Sequence, residues 1–210
     1  MRPRTPAIVG AALLLAVVAA GTALAYTSPF HAVDQAWRDL LASSRNDAAT
    51  WLAHALHTVG TTLGTTIAGL ALAGWWLYRR ERAPAAFVLV AVVLVRIATN
   101  VTKYLVDRPR PPQQLTAVTG DSFPSGHVSS ATVLATAVAV VLAYRGRAWL
   151  GAALVFVVAV VMAWDRTYLS VHWLSDTIGG AALGIGVPLL LWPLFRTRAD
   201  QRPPIVSISP

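Results

Sequence analysis

The sequence predicts an all-α membrane protein: a six-transmembrane-helix bundle with an interfacial helical segment between spans one and two. Three observations carry that expectation. Hydrophobic residues make up 56% of the 210 residues and charged residues 12%, with a mean hydropathy of +0.58, which is too apolar for an ordinary soluble domain. Six runs approach the roughly 20 apolar residues that a helix needs to cross a bilayer. Arginine clusters, prolines and glycines fall where those runs stop.

The spans fall near residues 7–26, 59–78, 84–102, 126–144, 148–164 and 173–195. The first run, flanked by Arg2, Arg4 and Ala23-Leu24-Ala25, also fits a cleavable secretory signal. A retained span is the reading adopted, and cleavage would leave five spans with the rest in place. Between spans one and two the chain is too polar to cross. Val33, Ala36, Trp37, Leu40 and Leu41 recur there at helical spacing, opposed by Asp34, Gln35, Arg38 and Asp39. This predicts a helix lying in the outer interface with Trp37 at headgroup depth. His54 and His57 stand a turn apart without a convergent carboxylate or thiol, so they read as structural or interfacial. Arg79-Arg80-Glu81-Arg82 and Arg145-Gly146-Arg147 form short hairpins, and 196–210 reads as a basic, proline-bearing extension. No repeat or second domain is visible, so 1–210 is expected to be a single membrane domain.

Lys and Arg counts orient the chain, because cytoplasmic loops carry the excess. The N-terminus, the two hairpins and the tail hold ten, and the opposite side holds Arg38, Arg45, Lys103, Arg108, Arg110 and Arg166. Four of those six belong in or beside a candidate pocket, so the background is ten against two. The net charge of +8 is therefore mostly a topology signal, and no nucleic-acid partner is expected. The chain has no cysteine, which excludes disulfides and thiolate metal sites.

The pocket is assembled from three separated segments: Lys103 with Arg110-Pro111, then Pro124-Ser125-Gly126-His127, then Arg166 with His172 and Asp176. Lys103 is the sole lysine beside sixteen arginines. Phosphoryl transfer needs cations around the equatorial oxygens, an in-line nucleophile and an acid for the leaving group. Lys103 offers a point charge, Arg110 and Arg166 planar forks, and Ser125 and Gly126 the amides of a helix N-terminus. Asp176, one turn from His172, can accept the Nδ1 proton and leave Nε2 free to attack. His127 is the candidate acid. Arg96, within span three, is either a functional cation or a packing partner.

In order and spacing these segments closely resemble the three-part signature of the type 2 phosphatidic acid phosphatase family, which also includes vanadium haloperoxidases. The resemblance covers roughly 50–195 and is to the family's integral-membrane bacterial branch. It implies a metal-independent phosphatase, without metal or cofactor, that forms a phosphohistidine at His172. Asp176 would orient that residue, His127 would act as the acid, and Lys103, Arg110, Ser125, Gly126 and Arg166 would hold the phosphate. One departure is Asp165 before Arg166, where the family commonly has Ser; a carboxylate there fits a role in orienting Arg166 or facing water.

A membrane-embedded pocket on the outer side favours a lipid phosphate or diphosphate as partner, with undecaprenyl (polyprenyl) diphosphate leading and phosphatidylglycerophosphate or phosphatidic acid as competitors. A vanadate-dependent haloperoxidase would use a similar anion cradle, but six apolar spans argue against it. A non-catalytic lipid-binding or transport protein would not need His127, His172 and Asp176 together. The expected location is the plasma membrane, multi-pass, with the site on the extracytoplasmic side. Membrane lipids are the expected surroundings, and the sequence does not specify an oligomeric state.

Overall fold

The computed structural model describes residues 5–27 and 29–195, which form eight α-helices and no strand. These are α1 (Thr5–Tyr26), α2 (His31–Ser43), α3 (Asp47–Gly60), α4 (Thr62–Tyr78), α5 (Arg82–Val106), α6 (Gly126–Tyr144), α7 (Ala148–Tyr168) and α8 (Leu174–Phe195). Among the described residues, five helices are long and apolar enough to cross a membrane: α1, α5, α6, α7 and α8. The second expected span, which corresponds to α4, is not among them. Val59 and Gly60 belong to α3, which leaves α4 with 17 residues. The extension at 196–210, with Arg2 and Arg4, lies outside the described residues.

Helix α6 sits at the centre, packed against α5, α7 and α8, while α1 lies along α8. Small residues allow this packing. A Cβ added at Gly10 of α1 would meet the Gly186 carbonyl of α8 at 2.6 Å, and one at Gly180 would meet the Ser125 carbonyl at 2.6 Å. Without a strong hydrophobic drive inside lipid, such close backbone approach is what lets helices gain dispersion contact. Thr99 and Ser129 hydroxyls bond at 3.0 Å and tie α5 to α6.

The bundle has two unlike ends. At one end Phe87, Val88, Val95, Val133 and Ala137 form a dry core, closed by Phe87 edge-on to Trp192 at 5.1 Å. The hairpins expected on one side meet there, through an Arg145–Glu81 ion pair of 2.5 Å. At the other end lie the 107–125 connection, the 169–173 turn and the helices α2 and α3. The chain leaves α5 through a left-handed Asp107 (φ 47°), and Leu115 N–H donates to the Leu169 carbonyl at 2.9 Å.

The polar segment after α1 forms two helices rather than one, because Asn46 caps α3 by accepting from Ala49 N–H at 3.0 Å. The expected facing of α2 is corrected at Asp34. Asp34, expected on the polar side, is only 2% exposed, while Val33 and Leu40 are 62% and 59% exposed. Trp37 packs against the cluster around Tyr168 and Leu169, and its Nε1–H donates to Thr167 Oγ1 at 3.0 Å. The cause is ionic: Asp34 accepts from Arg108 at 2.7 Å and from Ser175 N–H at 2.9 Å in the first turn of α8.

Candidate active site

Lys103 and Arg166 sit in the last turns of α5 and α7, each of which runs about a turn further than expected. Gly126 and His127 open α6, and His172 precedes α8. Six of the eight expected residues, Lys103, Arg110, Gly126, His127, Arg166 and His172, line one cleft of about 690 Å³. Ser125 and Asp176 lie behind it, each 0% exposed.

His172 is 5% exposed and lies in the turn before α8, so the expected single helical face for His172 and Asp176 is corrected. Its Nδ1 lies 3.5 Å from Asp176 Oδ2, and its Nε2 lies 3.2 Å from Arg110 Nη1. Because Arg110 can only donate, Nε2 must be the acceptor and the ring proton belongs on Nδ1, toward Asp176. Burial pushes the His172 pKa down to about 4; Asp176 pulls upward, while Arg110 and Lys103 add to the fall. The imidazole is therefore neutral at pH 7, with its lone pair turned to the cleft.

Asp176 is held from several sides. Ser122 Oγ donates to it, Trp173 N–H donates at 2.8 Å, and Arg108 Nη1 lies at 2.5 Å. Arg108 also bonds Asp34, so a line of charges runs Asp34, Arg108, Asp176 and ends at His172. Neither Arg108 nor Asp34 was picked out by motif. Their partners stand 68 and 74 residues apart, and periodicity within one helix does not reveal such pairs.

The cations are partly engaged. Lys103 Nζ donates to the Asp121 carbonyl and to that of Ser122 at 3.3 Å. Arg110 donates to the carbonyls of Gly120 at 2.8 Å and Val171 at 2.6 Å, which pins the 119–121 stretch to the 171–172 turn. Arg166 is 0% exposed; its Nε donates to Asp165 Oδ2 at 2.8 Å, so Asp165 orients the guanidinium, one of the two roles expected for it. The Ser125 amide, expected to face the anion, instead donates to the Asp176 carbonyl at 3.0 Å. That bond anchors the start of α6 to α8, and Ser125 retains its buried hydroxyl.

His57 corrects the structural or interfacial reading. It lines the cleft, its ring stacks on His127 with centroids 5.1 Å apart, and its Nδ1 lies 2.7 Å from Arg166 Nη1. Burial, followed by the Arg166 charge, lowers its pKa, so it is a neutral acceptor for the guanidinium. Gly60 allows the approach, because a Cβ there would meet His127 Cδ2 at 2.9 Å. Nothing near position 57 in sequence marks this role, since Arg166 is 109 residues away.

Among the described residues, seven buried side-chain atoms lack a hydrogen-bond partner, and five of them belong to Ser125, His127, Asp165, Arg166 and His172. Buried polar groups are ordinarily paired. Of the five, the Ser125 hydroxyl and the His127 ring can serve an anion such as phosphate beside Lys103, Arg110 and Arg166, whereas Asp165 Oδ1 can only accept and Arg166 Nη2 is paired with Asp165 at 2.5 Å.

The pattern that defines the PAP2 superfamily matches residues 84–200. The chain is 30% identical over 152 residues, 69% of its own length and 74% of the relative's, to "Putative undecaprenyl-diphosphatase YbjG" of Escherichia coli (strain K12). The crystal structure of the first transmembrane PAP2 type phosphatidylglycerolphosphate phosphatase from Bacillus subtilis matches with a TM-score of 0.78 at 22% identity, over 88% of this chain and 94% of that one. Aquifex aeolicus LpxE matches with a TM-score of 0.61 at 22% identity, over 76% and 93%. At these identities the two structures show a shared fold.

Proposed function

The chain belongs to the PAP2 superfamily, and on that premise we propose that it hydrolyses a polyprenyl diphosphate such as undecaprenyl diphosphate, through a phosphohistidine at His172, without a metal ion. The observation that carries this reading is the neutral His172, backed by Asp176 at Nδ1 and turned by Nε2 toward Arg110 in a cleft shared with His127. The name of the Escherichia coli relative favours the diphosphate.

The incoming phosphate oxygens take over the Arg110 donor that now meets Nε2, which frees the lone pair. Nε2 bonds to the terminal phosphorus as its bond to the bridging oxygen breaks. The electron pair stays on that oxygen, which leaves on the lipid monophosphate and takes a proton from His127, held as the imidazolium by the charge of the bound diphosphate. As positive charge develops on His172, the 3.5 Å approach to Asp176 tightens into a charge-assisted hydrogen bond. Water activated by His127 then cleaves the P–N bond and releases inorganic phosphate. Lys103, Arg110, Arg166 and the first amides of α6 hold the equatorial oxygens, with Ser125 adding its hydroxyl.

The setting belongs to the same proposal: one membrane domain with a phosphatase core over 50–195, in the plasma membrane, its cleft facing outward. Helix α4 completes six crossings. It starts beside the cleft at Thr62, ends by the Arg145–Glu81 pair, and at about 1.5 Å per residue is about 26 Å long, close to a hydrocarbon core of about 30 Å. The arginine asymmetry gives the orientation.

The test is phosphate release by purified protein in detergent with EDTA, comparing polyprenyl diphosphate, phosphatidylglycerophosphate and phosphatidic acid. The expected result is metal-independent turnover, fastest on the diphosphate. Strict dependence on a divalent cation contradicts the mechanism, and preference for a glycerophospholipid contradicts the substrate. For orientation, the cysteine-free chain permits a single Thr119→Cys label, expected to react with an impermeant maleimide from outside the cell.

A further inference from the structure

Arg96 lies midway along the apolar helix α5, two turns below Lys103, with Thr99 and Asn100 between them on the same face. Its three hydrogen bonds all leave from Nη2, to the Thr62 carbonyl at 2.9 Å, Thr65 Oγ1 at 3.2 Å and Thr66 Oγ1 at 2.7 Å. All three acceptors are neutral. Among the described residues no carboxylate pairs with Arg96, and its Nε is buried without a partner. A guanidinium at this depth in a span, lacking a counter-ion, is costly unless something anionic meets it.

Arg96 lines a polar cavity of about 210 Å³ that also touches Thr62, Asn100 and Ser130. This cavity adjoins the catalytic cleft, for Lys103, Gly126 and His127 line both. Gly60 is shared with an apolar cavity of about 380 Å³ walled by residues such as Leu72, Leu134 and Met162. The small cationic cavity thus borders both the cationic cleft and the apolar groove. That arrangement matches a terminal phosphate, a second phosphate and a hydrocarbon chain.

We infer that the Arg96 cavity holds the lipid-proximal phosphate of a diphosphate substrate, and that Arg96 sets the preference for a diphosphate over a monophosphate. This rests on the diphosphate reading above. His127, common to both cavities, then stands beside the bridging oxygen, and Arg96 faces the charge that appears on the departing monophosphate. A monoester releases a neutral alcohol and gains nothing from that cation.

The test uses a matched pair, farnesyl diphosphate and farnesyl monophosphate, with the full chain in detergent. Arg96→Gln is expected to lower the ratio of kcat/KM for diphosphate over monophosphate on the order of 10- to 100-fold, the loss of a charged hydrogen bond. Arg96→Lys, which keeps the charge without the fork, is expected to recover most of that ratio. An unchanged ratio, whether both rates hold or both fall, makes Arg96 a clamp between α4 and α5 and overturns the inference. A second measurement avoids any folding defect: inhibition of wild-type monophosphate hydrolysis by methylenediphosphonate against inorganic phosphate. Inhibition at least about tenfold tighter by the bisphosphonate is expected from an added charged contact, and equal inhibition overturns the subsite. If wild-type protein hydrolyses the monophosphate but not the diphosphate, the substrate reading fails, and the inhibitor comparison still decides the cavity.

Discussion

The two ends of the bundle are built from opposite materials. Around Phe87 and Trp192 the core is hydrocarbon, and among the described residues the ion pair beside it is the partly exposed Arg145–Glu81. Around His172 the interior is ionic: Asp34, Asp165, Arg166 and Asp176 are nearly or wholly inaccessible, and several of their neighbours have polar atoms without partners. A dry core contributes stability through packing, whereas buried ions add little net stability and are costly to disturb. The charged end is therefore where the molecule gives up stability for a preorganised anion cradle, and the apolar end is what keeps it folded.

The largest separation of the two roles is expected from His172→Ala. Loss of the nucleophile should reduce phosphate release on the order of 10⁴-fold or more, with little change in thermal unfolding in detergent. Residual activity within tenfold of wild type would remove His172 from the centre of the account. Asp34→Asn probes the charged end indirectly: it breaks a buried pair and should cost about 3 kcal/mol of stability, with activity falling as Arg108 and Asp176 shift. Calorimetry or thermal scanning checks the first effect, and a neutral result would mean that Arg108 is satisfied by Asp176 alone.

A matched pair of glycine substitutions sharpens the contrast further. A Cβ at Gly180 meets the Ser125 carbonyl at 2.6 Å, beside the cleft; one at Gly151 meets Ala139 atoms near 2.8 Å, between α6 and α7 away from it. Each alanine should cost about 1–3 kcal/mol through overpacking. Gly180→Ala alone should also lower kcat, by up to about 100-fold, because it displaces the α6 start that is tied to Asp176. Equal activity losses at both positions would erase the distinction between the ends.

The smallest effect lies in pH dependence. Since the His172 pKa is lowered to about 4, its lone pair persists on acidification until pH approaches that value. The acid limb of kcat/KM in the free enzyme should therefore fall near pH 4 rather than near the ordinary histidine value of about 6.5. Stability follows the same sign. The unfolded chain binds this proton below about pH 6.5 and the folded chain only near 4, so the neutral ring's contribution is complete above 6.5 and declines as pH falls through that window. An acid limb at 6.5 would mean that the ring is far better hydrated than its burial indicates.

Much of this architecture was legible in the residues. Five of the expected spans coincide with long apolar helices, and six of the eight expected site residues share one cleft, because hydropathy and motif spacing both register local chemistry. Pairing across the fold stayed hidden. Asp34 looked solvent-facing on its own helix, and only Arg108 and the α8 N-terminus explain its burial. His57 looked incidental until Arg166 and His127 were brought against it. The Ser125 amide looked free until the glycine-lined approach of α8 supplied an acceptor. In each case the deciding partner lies in another element, beyond any periodic pattern.

The most direct test of the central claim is to stop turnover of a polyprenyl diphosphate in alkali, where phosphohistidine survives, and locate the phosphoryl group by mass spectrometry. The account predicts phosphate on His172, accumulating further in His127→Ala, where water is poorly activated. Phosphate on another residue, or none during steady turnover of the wild-type protein and the variant, would contradict it.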